Sequence, residues 1–160
     1  MNKIKKYYLP FFLRHPKYFW ICLVLGFSLS AAAQDNTLTV IANAKGAPAE
    51  INMTELKSVL MGEKQRWGNG IKVTIVLMKT STPVGRMVSK KIYDMSADEV
   101  KGFWLKISFA GKADAPKFCN TTEELMSYVA DNAGAIGILD KISSETPDVK
   151  TVTVDGKKSF

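Results

Sequence analysis

The stretch Lys79-Thr-Ser-Thr-Pro-Val-Gly-Arg86 is where this sequence comes nearest to chemistry. Thr80, Ser81 and Thr82 are three consecutive hydroxyl residues, and Pro83 follows them directly. Hydroxyl caps with proline at the first helical position mark the start of a helix. Such a start exposes unpaired backbone N–H groups and a partial positive charge, which hold anions. Lys79 and Arg86 add cations on either side. A phosphate-like oxyanion would satisfy hydroxyls, amides and cations together. The same residues also read as an ordinary capped helix with two solvated cations, and the sequence leaves both readings open.

Little else in the sequence could do chemistry. The single histidine, His15, lies in the N-terminal segment, so residues 34–160 carry none. That excludes Ser-His-Asp and Cys-His mechanisms there and removes the commonest zinc ligand. Cys119 is the one cysteine of residues 34–160, so no internal disulfide is available, and a buried structural thiol is expected. Asp98-Glu99 and Glu123-Glu124 both sit in first helical turns, where they complement the helix dipole. There is no glycine-rich nucleotide loop and no metal-ligand spacing. Neither a catalytic set, nor a metal site, nor a cofactor is expected.

The elements that must position Lys79–Arg86 follow from periodicity and caps. Residues 37–43 alternate and are β-branched, a strand, and residues 45–50 form a turn. Asn52-Met-Thr-Glu55 opens a short helix through Leu56, Val59 and Leu60, which Gly62 ends. Asn69-Gly70 signals a turn before the strand of residues 71–78, apolar enough to be covered on both faces. Val84, Met87, Val88 and Ile92 line one side of the next helix. Ser96-Ala-Asp-Glu99 is a capping box, followed by Val100, Phe103, Trp104 and Ile107 at helical spacing. Residues 111–118 read as a loop. Thr121 caps a helix with Leu125, Tyr128 and Val129 inward. Residues 134–139 form a buried, glycine-bearing strand, and residues 149–154 a last strand. Strands alternating with helices predict an α/β domain of three layers.

The first 33 residues read as an export signal. Lys3, Lys5, Lys6, Arg14 and Lys17 precede an apolar run from Tyr18 to Phe27 and the small residues Ala31-Ala-Ala33. This is the secretory pattern, with cleavage expected after Ala33 and export to the periplasm implied. An uncleaved anchor is the alternative, although about 16 residues is short for a permanent span. Without this leader, 17 basic residues face 15 acidic ones, a net charge of +2, so most of the chain's +7 belongs to the leader. A nucleic-acid partner loses its main support, and membrane contact is expected only through an uncleaved leader.

Several segments occur in an order that carries a resemblance. They are Val40-Ile-Ala-Asn-Ala-Lys45, Met53 through Glu63 with Trp67, and Ile71 through Arg86. Phe103-Trp104, Ile107 through Lys112 and Asn132-Ala-Gly-Ala-Ile-Gly-Ile138 follow. The chain thereby resembles the small, single-lobe phosphate transporter substrate-binding proteins of the type II periplasmic binding superfamily. The resemblance implies a three-layer α/β fold like one lobe of such a protein, non-enzymatic, with inorganic phosphate or a similar oxyanion as ligand. In full-length relatives a Ser-Gly-Thr turn and a nearby arginine hold phosphate, and Ser81, Thr82, Pro83 and Arg86 match those positions. Threonine here replaces the glycine, and Pro83 lacks an N–H donor. Ile138 stands where a tyrosine is common. One lobe alone leaves a bound anion partly in water, so weak binding is expected unless a second copy or another protein supplies the missing wall. The alternative is a sensory or interaction module that keeps the lobe without the ligand.

Overall fold

The computed structural model describes residues 37–142 and 146–160; the expected leader and its cleavage point lie outside them. The strands are β1 (Thr39–Asn43), β2 (Glu50–Ile51), β3 (Thr74–Met78), β4 (Lys117–Cys119), β5 (Ala135–Leu139) and β6 (Val149–Val154). They form one mixed sheet in the order β2-β6-β1-β5-β3-β4. β1 runs antiparallel to both β5 and β6, whereas β3 is parallel to β4 and β5. The helices are α1 (Met53–Leu60), α2 (Pro83–Val88), α3 (Ala97–Phe109) and α4 (Thr122–Asp131). A π-helical turn, Ser89–Tyr93, continues α2. Among the described residues no helix is long and apolar enough to cross a membrane.

The local signals act as expected. Asn52 accepts from the Glu55 amide at 2.7 Å, and Gly62 takes φ +75° beyond the end of α1. The capping box is complete: Glu99 accepts from the Ser96 amide at 2.7 Å while its own amide donates to the Ser96 hydroxyl. The stripe through Val84, Val88 and Ile92 is buried as expected, but the helix widens at Ser89. There the Ser89 hydroxyl donates to the Gly85 carbonyl at 2.8 Å, four residues back.

Two expectations are corrected. Residues 45–50 are not wholly a turn, because Glu50 and Ile51 form β2 against Thr153 and Val154. The loop read over residues 111–118 ends in β4, which pairs with Val76, Leu77 and Met78. Both strands are too short to show a period, so only their distant partners define them.

The order of connections produces the layers. β3 leads through α2 and α3 to β4 on one side, and β4 leads through α4 back past β3 to β5. Right-handed crossovers in opposite directions lie on opposite faces of a sheet. α4 packs on the face where Gly137 pairs with Ile41 and Val76. A Cβ at Gly137 would stand 2.7 Å from the Leu125 side chain, which shows how closely α4 approaches. Burying Leu125 and Val129 completely contributes about 2 kcal/mol each. On the other layer, Trp104 donates to the Tyr93 hydroxyl at 3.2 Å, which donates to the Leu60 carbonyl at 2.7 Å. That buried chain ties α3, the π-turn and α1 together.

Candidate functional site

The Lys79–Arg86 turn lies outside the carboxyl end of β3, beside that of β4: the Lys79 amide donates to the Cys119 carbonyl at 2.9 Å. Because the helices leaving β3 and β4 go to opposite faces, this is a topological switch point. Open α/β sheets bind ligands in the crevice at such a point.

The five residues singled out in the sequence have different situations there. Thr80 is buried, and Thr82 is the N-cap of α2. The Thr82 hydroxyl accepts from the Gly85 amide at 3.0 Å and donates to the Lys79 carbonyl at 2.8 Å, so its donor is occupied. The Thr82 amide also donates to Lys79, at 2.9 Å. Ser81, Lys79 and Arg86 are exposed. The Arg86 guanidinium folds back one turn and donates to the Ser81 carbonyl, which uses one of its five N–H donors. The structure therefore brings Ser81 and Arg86 together, while Thr80 is buried as a residue and the Thr82 hydroxyl is taken up by the turn.

Helix starts in this domain differ in charge. Glu55 in α1, Asp98 and Glu99 in α3, and Glu123 and Glu124 in α4 place carboxylates in the first turn. α2 has none and carries Arg86 instead. A helix start already facing a carboxylate repels a second anion, so α2 is the one suited to an anion from outside.

The α4 start, which the sequence left uncombined with the candidate site because β4 was read as loop, shows the contrast. It lies just past β4, and Glu124 accepts from the Asn120 amide at 2.7 Å. That backbone bond holds the Glu124 carboxyl below its ordinary value of 4.5, with help from Lys117. A depressed carboxyl stabilises the fold fully above its unfolded pKa, and that contribution fades as pH falls through the folded value. Glu124→Gln is accordingly expected to lower the melting temperature near neutral pH, with the gap to wild type closing in acid. Thermal melts across that range check it; a gap independent of pH would contradict the assignment.

A cleft beside Arg86 is lined by Lys90, Asp94, Ser96 and Glu99 as well. Lys90 pairs with Asp94 at 2.9 Å, and the two acids make that cleft a poor place for an anion. Among the described residues no group of three or more His, Cys, Asp and Glu side chains is placed to hold a metal. Cys119 is fully buried, and burial first, then Glu124, raises its thiol pKa, which makes it unreactive.

Comparison with solved structures decides the architecture. An ABC-type phosphate transport receptor from Vibrio cholerae superposes with a TM-score of 0.56 at 15% identity, covering 80% of this chain and 53% of its own. PstS from Borrelia burgdorferi gives 0.50 at 15% identity, covering 76% of this chain and 48% of its own. The fold is that of a periplasmic-binding-protein lobe. This chain spans about half the length of either receptor. No family model matches the chain, and no curated protein matches it either.

Proposed function

We propose that this chain is an extracytoplasmic, non-enzymatic binding module that takes phosphate or a similar oxyanion at the start of α2. The observation that carries the reading is the pairing of Arg86 with the Ser81 carbonyl at the one helix start, among the described residues, that holds no carboxylate of its own. The location at the carboxyl end of β3 supports it, and so does the like-folded Vibrio cholerae protein, a phosphate transport receptor by name. The charged and apolar pattern of residues 1–33, read as an export signal, supports a periplasmic place of action. The Ser81 hydroxyl and the remaining guanidinium donors of Arg86 contact the anion, and Lys79 adds charge nearby.

Ser81 and Arg86 are exposed, so the anion faces water on one side, where charged hydrogen bonds weaken. Binding by the chain alone is therefore weak, and a second copy or another protein would complete the enclosure. A second reading, a lobe retained for interaction without ligand, is favoured by the occupied Thr82 hydroxyl and the missing amide of Pro83.

Calorimetric titration and thermal melts with phosphate and with sulfate separate the two. Phosphate at ten times its dissociation constant should add about 1.4 kcal/mol of stability. Ser81→Ala and Arg86→Ala should each remove most of that increment while leaving the anion-free melt almost unchanged. No stabilisation, or equal stabilisation in the variants, would favour the second reading.

A further inference from the structure

We propose that Asn69 is a deamidation site that the fold holds closed, and that reacts once the loop before β3 parts from the loop after β1. Asn69-Gly70 is the one asparagine–glycine pair in the chain. Glycine in second place has no Cβ, so its backbone nitrogen can reach the asparagine carboxamide where any larger residue would hinder it. Both residues are exposed, in the turn between Arg66 and Lys72, which bridge antiparallel, and Gly70 takes φ +84°. Water and hydroxide therefore have access.

The reaction needs two groups to be free, and the structure ties both. The Gly70 amide donates to the Trp67 carbonyl at 2.9 Å, which keeps its proton in place. The Asn69 carboxamide is held at both ends. Its nitrogen donates to the Gly46 carbonyl at 3.0 Å, and its oxygen accepts from the Ile71 amide at 3.1 Å. Arg66 braces the same turn by donating to the Gly70 carbonyl at 2.8 Å. The backbone behind gives no slack: a Cβ on Gly46 would lie 1.6 Å from the Ala133 carbonyl oxygen, and Trp67 donates to the Gly134 carbonyl at 3.0 Å. Local opening of the turn releases these ties together.

In the opened turn, hydroxide removes the Gly70 amide proton, and the nitrogen attacks Cγ of Asn69. The bond from Cγ to the side-chain nitrogen breaks, and that nitrogen leaves as ammonia with a proton from water. Water then opens the resulting succinimide at either carbonyl, leaving an aspartyl or isoaspartyl residue at position 69. Nothing is oxidised or reduced. Closing again is disfavoured, because the donor to Gly46 has become a carboxylate oxygen facing a carbonyl oxygen. The isoaspartyl form also adds a carbon to the main chain between Trp67 and Ile71, where the Trp67 amide donates to the Ile71 carbonyl at 2.9 Å. The turn thus keeps a lasting record of having opened. The anion site lies at the opposite end of β3, so the change falls on stability rather than on the ligand.

The test incubates the full chain in mildly alkaline buffer, folded and in urea, and follows position 69 by peptide mapping for loss of the amide and for isoaspartate. Conversion in the folded chain should run at least about tenfold slower than in urea. Arg66→Ala removes the brace and leaves the asparagine–glycine pair intact. It should speed the folded reaction severalfold and leave the rate in urea unchanged. Asn69→Asp, which carries the aspartyl product from the start, should melt several degrees below wild type. Equal rates folded and unfolded, no conversion in urea, or no effect of Arg66→Ala would each overturn the proposal, as would an Asn69→Asp chain that melts with wild type.

Discussion

Gly85→Ala is expected to lower the melting temperature by roughly 10 °C, from a loss of about 3 kcal/mol. The added Cβ would lie 2.0 Å from the Lys79 carbonyl oxygen and 2.9 Å from that of Met78. Both are backbone atoms at the end of β3, so no flexible side chain can yield. The first turn of α2 would have to lift away from the strand. That movement breaks the Thr82 contacts to Lys79, through which the turn holds its shape. Anion-dependent stabilisation should vanish with them. Gly102→Ala provides the control, being the same change on an exposed helix with nothing within 4 Å. It should stabilise by about 0.5–1 kcal/mol, because alanine is the better helix former. Equal effects of the two substitutions in thermal or denaturant melts would refute the close-approach argument.

The second large effect belongs to Asn43, a buried polar residue at the end of β1. Its amide donates to the carbonyls of Val129 at 3.0 Å and Ala130 at 2.8 Å, and its oxygen accepts from the Lys45 amide at 2.9 Å. One side chain thereby satisfies the last turn of α4, whose carbonyls have no partner within the helix. Asn43→Ala leaves buried carbonyls unpaired and should destabilise by about 3 kcal/mol. Asn43→Asp should be worse near neutral pH, because a carboxylate oxygen would face two carbonyls. Acid should recover part of that loss by protonating it. Urea melts of the two variants read the order directly; alanine proving the more harmful would contradict the donor role.

Neither effect was visible beforehand. Asn43 reads as the polar end of an alternating strand, and nothing local connects it to residues 86 positions away. Nothing in the sequence around Gly85 marks it as indispensable. Its necessity comes from the chain turning back so tightly after β3 that α2 rests on the Lys79 carbonyl. The candidate site was legible as a set of residue types but not as a division of labour. Three adjacent hydroxyls look equivalent in sequence, whereas Thr80 is a buried residue, Thr82 closes the turn and Ser81 is exposed. The contrast among helix starts was in principle readable, since no acid lies between Lys79 and Arg86.

By itself the sequence determined where the helices begin. Asn52, Thr82, Ser96 and Thr121 all accept from the amide three residues on, because capping acts within one turn and needs no distant partner. It also determined that β3 and β5 are buried on both faces, since a continuous apolar run cannot face water, whereas the equally buried β1 reads as alternating. Tertiary structure alone decided that β4 exists and lies beside β3, and that α4 crosses the opposite face. It also decided that Ser81 and Arg86 remain outside while their neighbours are taken up by the fold. Pairing between short strands is set by contacts across dozens of residues, and the sheet's order fixes which helix start is left open to an outside charge.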